Sequence, residues 1–385
     1  MKISVIVPGR LHGFDMALYF QKLGFLNQLA TGYPPKYVVS FGFQKKLIKS
    51  LYINEIINRG TNFLGLGYPL DFLACEAFDF LASKTIKFDS DFYFIWSGYG
   101  LKTIKTIRKK NPTAKIIIVR GSAHIVKQEE LLRIINKRDK QQINRKIIQK
   151  ELLEYEAADY ITVPSTFSLN TFLEKGIRSE KIFLNFLGVD LSQFPFHKKT
   201  VPLNTLTTGN VGTLTARKNV TGLINVIASL NLISPNRYKL LLAGPIDEHS
   251  FDKNLLVKHD FITYFGKLSQ NELYSIYSKI DVFVMNSIED GFGMVLLQAM
   301  SCGCPVITTT NTAGPDLIKQ DENGIIIPIL NDEALKNSLI WMYNNKSKIA
   351  EMSLKSRAIT EKGFTWDDFG ERNIKFLENI QSNRF

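Results

Sequence analysis

The sequence reads Asn286-Ser-Ile-Glu-Asp-Gly-Phe-Gly-Met-Val-Leu-Leu-Gln-Ala-Met-Ser-Cys-Gly-Cys-Pro-Val-Ile307 directly after a short apolar run that ends at Met285. That run predicts a buried strand, and the segment beginning near Met294 predicts a helix. Similar strand-like runs alternate with helical patterns along the whole chain, which predicts parallel sheets with crossover helices. The predicted strands are Ile3–Pro8, Tyr93–Trp96, Ile116–Val119, Tyr160–Val163, Thr208–Val211, Lys239–Ala243, Phe261–Phe265, Val282–Met285, Val306–Thr309 and Ile325–Ile327.

The loop between this strand and helix carries residues suited to a polar ligand. Gly291 and Gly293 let the backbone approach a ligand closely, and the first helical turn offers unpaired N–H groups to phosphate or sugar oxygens. Asp290 before the helix and Gln298 inside it can both reach hydroxyl groups of one ligand. An isolated Asp at such a position can also act only as a helix cap.

The chain is long enough for two domains, since 385 residues exceed the usual size of one. The segment 193–202 contains two prolines and little periodicity, which indicates a linker. We therefore predict a first domain over 1–190 and a second over 205–365. A final segment, 366–385, contains an amphipathic helix predicted at Trp366–Ile380.

The quoted stretch resembles the signature of glycosyltransferase family 4. In that family an acidic residue precedes Gly-Phe-Gly and contacts the donor sugar, and a glutamate eight positions on holds the ribose hydroxyls. Here the matching residues are Asp290, with Glu289 beside it, and Gln298. An amide can still bind ribose hydroxyls, because it donates as well as accepts. The resemblance implies donor contacts from Glu289, Gly291, Phe292, Gly293, Met294 and Gln298.

A second element, Gly212-Thr-Leu-Thr-Ala-Arg-Lys218, supports the resemblance. The family has a glycine turn here, followed by a lysine that neutralises the donor diphosphate. Lys218 matches that lysine, and Arg217 can replace the family arginine, whose position holds Thr213. The element is not a Walker loop, because the lysine follows arginine instead of glycine.

Smaller matches keep the family's order. They imply donor contacts from Gly9 and Arg10 after the first strand and from Gly244, Lys267 and Leu268 in the second half. His124 follows a strand and a glycine, where the family has a histidine that contacts the donor sugar; a lone histidine there can also be structural. Together with Lys218 and Asp290, His124 forms the predicted catalytic set.

The resemblance implies a GT-B fold, two facing Rossmann-like domains with parallel sheets and an interdomain cleft. It also implies a retaining enzyme that uses a nucleotide diphosphate sugar and no obligatory cofactor. Basic groups and helix dipoles would stabilise the departing diphosphate. No metal is expected, because Asp89-Ser-Asp91 precedes its strand and so lies at the wrong end to meet a ligand.

The net charge of +12 favours anionic partners. Basic residues concentrate over 125–150, interleaved with apolar residues at roughly helical spacing. This pattern fits a solvated helix face or a surface that rests on an anionic membrane. The second interpretation predicts peripheral contact with the inner face of the cell membrane and a glycan or polyprenyl-linked acceptor, with polysaccharide assembly as the pathway. The three cysteines form no disulfide pattern, which predicts reduced thiols and a cytoplasmic protein.

Three alternatives stay open. One is an enzyme of the same fold with a different reaction, such as a nucleotide-sugar epimerase. Another is a catalytically silent nucleotide-sugar-binding or partner-binding protein, which Gln298 motivates. A nucleic-acid-binding protein is supported only by the basic charge, and no recognition motif for nucleic acid is present, so we expect no nucleic-acid partner.

Overall fold

The computed structural model describes residues 1–52, 67–136, 142–200, 202 and 204–382. They contain two parallel sheets, one of seven strands and one of six. The first sheet has the strand order β3-β2-β1-β4-β5-β6-β7. Its strands are β1 (Ile3–Val7), β2 (Leu26–Thr31), β3 (Ile48–Ser50), β4 (Phe92–Trp96), β5 (Lys115–Val119), β6 (Tyr160–Val163) and β7 (Ile182–Leu184).

The second sheet has the order β10-β9-β8-β11-β12-β13. Its strands are β8 (Leu206–Val211), β9 (Tyr238–Ala243), β10 (Ile262–Tyr264), β11 (Val282–Met285), β12 (Val306–Thr309) and β13 (Gly324–Ile327). Every strand predicted from the sequence is present. Three further strands, β2, β3 and β7, were not predicted.

Helices connect the strands on both sides of each sheet. In the first half they are α1 (Gly13–Lys22), α2 (Pro35–Val39), α3 (Gly67–Thr85), α4 (Leu101–Lys110), α5 (Ile125–Asn136), α6 (Arg145–Ala157) and α7 (Thr166–Glu174). In the second half they are α8 (Val220–Ile233), α9 (Leu255–Lys258), α10 (Gln270–Tyr277), α11 (Met294–Ser301), α12 (Gly314–Leu317), α13 (Asp332–Asn344), α14 (Lys346–Thr360) and α15 (Trp366–Gln381).

The central strands are buried on both faces, as parallel sheets covered by helices require. Every residue of β1, β4, β11 and β12 is buried. Their continuous apolar sequences follow from this position, because neither face of the strand meets water. The result is two doubly wound, Rossmann-like domains, so the predicted GT-B architecture is confirmed.

The chain passes between the two sheets twice. The first passage lies between Leu184 and Leu206. The second precedes α15, which packs on α1 of the first domain. The two passages are in contact, since the Val189 N–H donates to the Phe364 carbonyl over 2.8 Å. The exact domain boundaries at 190, 205 and 365 stay a prediction.

The predicted basic segment 125–150 is divided between α5 and α6, and residues 137–141 lie outside the described residues. Lys127 and Arg133 are paired with Glu174 and Glu129. Lys150 is buried between Glu76 and Asp79, with N–O distances of 2.7 and 2.9 Å. It therefore adds no charge to the surface. Across the described ranges, no helix is both long and apolar enough to cross a membrane.

Candidate active site

The loops that follow four neighbouring strands of the second sheet meet at its carboxyl edge, where ligands of doubly wound sheets bind. They begin at Gly212, Gly244, Phe265 and Asn286, after β8, β9, β10 and β11. Gly212 and Gly244 have φ of 139° and 140°, and a side chain at Gly244 would collide with the Gly212 carbonyl. Both positions therefore require glycine, and the backbone is left open to a ligand.

The acidic loop, residues 286–293, connects β11 to α11. Gly293 begins the helix with a φ of 79°, and a side chain there would meet Met285. The Asp290 carboxylate accepts the Phe292 N–H over 3.3 Å, and the Asp290 N–H donates to the Asn311 carbonyl over 2.9 Å. Asp290 therefore shapes the loop and does not cap α11 itself.

Arg217 and Lys218, here called the cation pair, lie against this loop. They belong to a 3₁₀ turn over Ala216–Lys218, in which the Lys218 N–H donates to the Thr215 hydroxyl over 3.3 Å. The Lys218 ammonium forms an ion pair with Asp290, and Arg217 Nη1 lies 3.6 Å from the same carboxylate. Burial alone would raise the pKa of Asp290, but the charges of Lys218 and Arg217 hold it below its ordinary value. Asp290 is therefore ionised at neutral pH.

Gln298 lies in α11 with its side chain buried and its carbonyl oxygen occupied. The Tyr277 hydroxyl donates to Gln298 Oε1 over 2.9 Å. Burial raises the pKa of Tyr277 well above its ordinary value, so the phenol stays a donor. The orientation of the amide is thereby fixed, and its NH₂ group is the part left to meet a ligand.

The carboxyl edges of the two sheets face each other across the acidic loop. Gly291 lies so close to Gly121 and Ser122, after β5, that any side chain would collide with their backbone. The hydroxyls of Ser165 and Ser168, after β6, donate to the Gly291 carbonyl over 2.5 and 3.1 Å. The acidic loop is therefore held between two loops of the first domain.

Part of the chain matches the model of a known protein family. The family model described as "Glycosyl transferases group 1" matches residues 193–360, the part that carries the cation pair and the acidic loop. This part of the chain is therefore similar to the group 1 glycosyltransferases. The resemblance to family 4 is consistent with that group.

Curated proteins are similar to part of this chain. O-antigen chain mannosyltransferase B of Escherichia coli is 26% identical over 171 residues, which are 43% of this chain and 43% of that protein. The putative colanic acid biosynthesis glycosyltransferase WcaL of Escherichia coli K12 is 26% identical over 174 residues, 43% of this chain and 42% of that one. The matches thus span less than half of the length of these relatives.

Solved structures match this chain over nearly its full length. Sucrose-phosphate synthase from Thermosynechococcus elongatus superposes with a TM-score of 0.71 and 16% identity, over 100% of both chains. Anabaena HepE in complex with UDP gives a TM-score of 0.69 and 14% identity, over 98% of this chain and 100% of that one. At these identities the likeness shows the fold alone.

The structure brings many of the predicted site residues together. Asp290, Arg217 and Lys218 are in mutual contact, and Glu289 joins them through Arg217, 3.4 Å away. Four more residues of the predicted set lie in the acidic loop or begin the helix after it. They are Gly291, Phe292, Gly293 and Met294.

Within the described residues, no hydrogen bond or ion pair joins Arg10 or Lys267 to this centre. The Arg10 guanidinium stacks over the Phe41 ring at 4.6 Å, next to Gly9. Lys267 is exposed and Leu268 half-buried, beyond the Gly266 carbonyl that accepts the Gly244 N–H over 2.7 Å. Their contacts with a donor stay predictions.

His124 lies apart from the cation pair. Its ring packs on Tyr155 and Phe172, at 5.2 and 5.0 Å between centroids. Burial lowers its pKa to about 4, with Arg120 and Lys175 contributing, so the ring is neutral at neutral pH. Among the described residues, no hydrogen bond or ion pair joins His124 to the cation pair or the acidic loop. Its contact with the donor sugar stays a prediction.

Sequence reasoning missed the first-domain residues that contact the acidic loop. The Ser122 hydroxyl and the Gln128 amide both donate to the Glu289 carboxylate. Outside that loop, the Thr166 N–H of the first domain donates to the Asp316 carboxylate over 3.0 Å. A signal was present, since Ser122 and Ser165 each follow the end of a strand. It was too weak to assign partners, because hydroxyl residues are common in such loops.

Proposed function

We propose that the protein is a retaining glycosyltransferase that moves a sugar from a nucleotide diphosphate sugar to a glycan or polyprenyl-linked acceptor. The observation that carries this proposal is the cation pair, held at the carboxyl edge of the second sheet beside two glycines that need positive φ. Two cations and an exposed backbone suit a diphosphate. Within the part of the chain that the structure describes, the contacts of Arg217 use Nη1, which leaves Nη2 and Nε for a ligand.

The proposed roles follow from these contacts. When the donor binds, its diphosphate replaces Asp290 as the ion-pair partner of Lys218, and it binds Arg217 as well. As the sugar bond breaks, these cations stabilise the charge on the leaving diphosphate. Asp290, released from Lys218, is then free to accept a hydroxyl of the donor sugar, and the Gln298 amide donates to the ribose.

A cavity of about 450 Å³ supports an acceptor with an apolar part. It lies between the two domains, next to Arg217. Aliphatic side chains of α5, α6 and the segment before α6 form much of its wall; they are Ile125, Leu132, Ile135, Ile143 and Ile147. We propose that a lipid-linked acceptor reaches the donor from this side. The O-antigen and colanic acid relatives support a role in bacterial surface polysaccharide assembly.

The proposed location is the cytoplasm, with peripheral contact to the inner face of the membrane. The three cysteines, Cys75, Cys302 and Cys304, are all buried, which fits a reducing compartment.

Nucleotide binding tests the proposal directly. We expect one of UDP, GDP, dTDP and ADP to raise the melting temperature and to bind by calorimetry. Lys218→Ala should weaken binding of that nucleotide by ~10-fold or more, because a charge-assisted hydrogen bond is lost. Asp290→Asn should bind it at least as tightly as wild type, because the variant frees Lys218, while sugar transfer falls. Lys253→Ala is the control, since its exposed ion pair with Glu248 lies in the same domain.

The silent binding protein predicts a different outcome. A nucleotide would bind with the same dependence on Lys218, but no donor sugar would be transferred, and Gln298→Glu would not restore transfer. If none of the four nucleotides binds, the proposed function is wrong.

A further inference from the structure

The side chain of Glu289 is completely buried, and it faces the first domain. Its 0% exposure contrasts with the 34% of its partner Arg217. Glu289 Oε1 accepts the Ser122 hydroxyl and lies 3.5 Å from the Ala123 N–H. Oε2 accepts the Gln128 amide over 3.2 Å. A buried carboxylate is stable only when such donors replace water, and here the other domain provides them.

These contacts belong to a chain of polar groups that crosses the interface. On the first-domain side, Gln128 Oε1 accepts from Arg120 over 2.7 Å, and Arg120 pairs with the buried Glu151 at 3.1 Å. On the other side, Arg217 Nη1 lies 3.4 Å from Glu289 Oε2 and donates to the Glu289 carbonyl over 2.6 Å. Arg217 therefore lies between Glu289 and the Asp290–Lys218 ion pair.

Glu289 contacts the first domain and Arg217 at the same time. If the domains separated, Ser122, Ala123 and Gln128 would leave the carboxylate, and water would replace them. When the domains close, neutral donors from the first domain satisfy both carboxylate oxygens. Closure also removes water, so these contacts gain strength.

We propose that Glu289 is a positioning residue that links domain closure to the placement of Arg217 for the donor diphosphate. In the closed arrangement, Ser122 and Gln128 hold the Glu289 carboxylate, and Glu289 in turn holds Arg217 Nη1, which leaves Nη2 and Nε for the diphosphate. This assignment rests on the proposed glycosyltransferase function. It differs from the sequence-based expectation, in which Glu289 contacts the donor directly.

The decisive experiment is a double-mutant cycle between Ser122→Ala and Glu289→Gln. We expect each single variant to lower kcat for transfer by 10-fold or more and to change nucleotide Kd much less. We expect kcat of the double variant to lie within about 3-fold of kcat of the poorer single variant, because both substitutions break the same contact. Both should increase the fraction of donor lost to water, since incomplete closure admits solvent. A merely structural role would lower the melting temperature without moving that fraction.

Losses that multiply in the double variant, or an unchanged ratio of transfer to hydrolysis, would overturn the proposal. Hydrogen exchange tests it without any activity. Amides of residues 121–123 and 290–292 should exchange faster in Glu289→Gln than in wild type, and unchanged exchange would also refute it. Glu272→Gln is the control, since Glu272 caps its own helix through Ser269. If wild type transfers no sugar but the exchange result holds, the proposed function fails and the interdomain contact stands.

Discussion

At the scale of single residues, burial shifts the pKa values of two titratable groups that follow β1. The ring of His12 lies 4.7 Å from that of Trp96, and burial lowers its pKa to about 4. Burial raises the pKa of Asp15 to about 6; Arg10 opposes this shift and Asp190 adds to it. Both groups are therefore held in their neutral forms more strongly than in the unfolded chain.

Asp15 should make stability depend on pH. The folded protein keeps the Asp15 proton up to about pH 6, whereas the unfolded chain releases it near the ordinary value of 3.8. The folded state therefore loses stability as pH rises between these values. We expect Asp15→Asn to be more stable than wild type by ~1–3 kcal/mol at pH 7, with the difference vanishing below pH ~4. Urea unfolding at several pH values measures this, and a difference independent of pH would contradict it.

Individual site residues were predictable where they are close in sequence. Asp290 and Gln298 lie on one loop and helix, and Lys218 follows its glycine turn by six positions, so the resemblance to family 4 identifies them from local sequence. The contact between Ser122 and Glu289 spans 167 residues. No local pattern encodes it, because it depends on how two domains meet.

At the scale of elements, strands with continuous apolar sequence were predictable and the others were not. β2 contains Asn27 and Gln28, and its polar side chains hide the pattern; Asn27 is used to bind Asp89 and Ser90. β3 and β7 have three residues each, which is too short for periodicity to show. The helix predicted at Trp366–Ile380 was clear, because its apolar residues recur at helical spacing.

Gly370 allows this helix, α15, to pack on α1. A side chain at Gly370 would overlap the ring of Tyr19. Gly370→Ala gains ~1 kcal/mol of helix propensity, but overpacking costs ~1–3 kcal/mol. We expect a net loss of about 1 kcal/mol in unfolding free energy, measured by urea denaturation. Lys375→Ala, exposed on the same helix, is the control, and a stabilised Gly370→Ala would show that Tyr19 moves aside without cost.

At the scale of the whole molecule, charge and exposed apolar side chains favour an anionic lipid surface. The net charge is +12. Ile134 and Leu153 on α5 and α6 are 54% and 48% exposed. Basic residues near a membrane surface contribute about 1 kcal/mol each, and apolar side chains that enter the interface add to this.

We expect the purified protein to pellet with vesicles containing phosphatidylglycerol at low salt, and to do so less at high salt as charges are screened. Ile134→Glu with Leu153→Glu should reduce binding several-fold. Leu232→Glu with Val257→Glu is the control, because these residues are each 85% exposed in the second domain. Equal binding to neutral phosphatidylcholine vesicles, or an equal loss in both double variants, would contradict a specific membrane face.

The two adjoining passages of the chain between the domains restrict how these domains move. A single connecting segment permits bending and twisting alike. Here a hydrogen bond between Val189 and Phe364 joins two connecting segments side by side, and Gly188 lies against the backbone of Thr365 and Trp366. Twisting of one domain against the other would strain the hydrogen bond between Val189 and Phe364, whereas bending would not. We therefore expect bending to dominate any movement between the domains, and we expect closure to return Gly291 to the same place against Gly121.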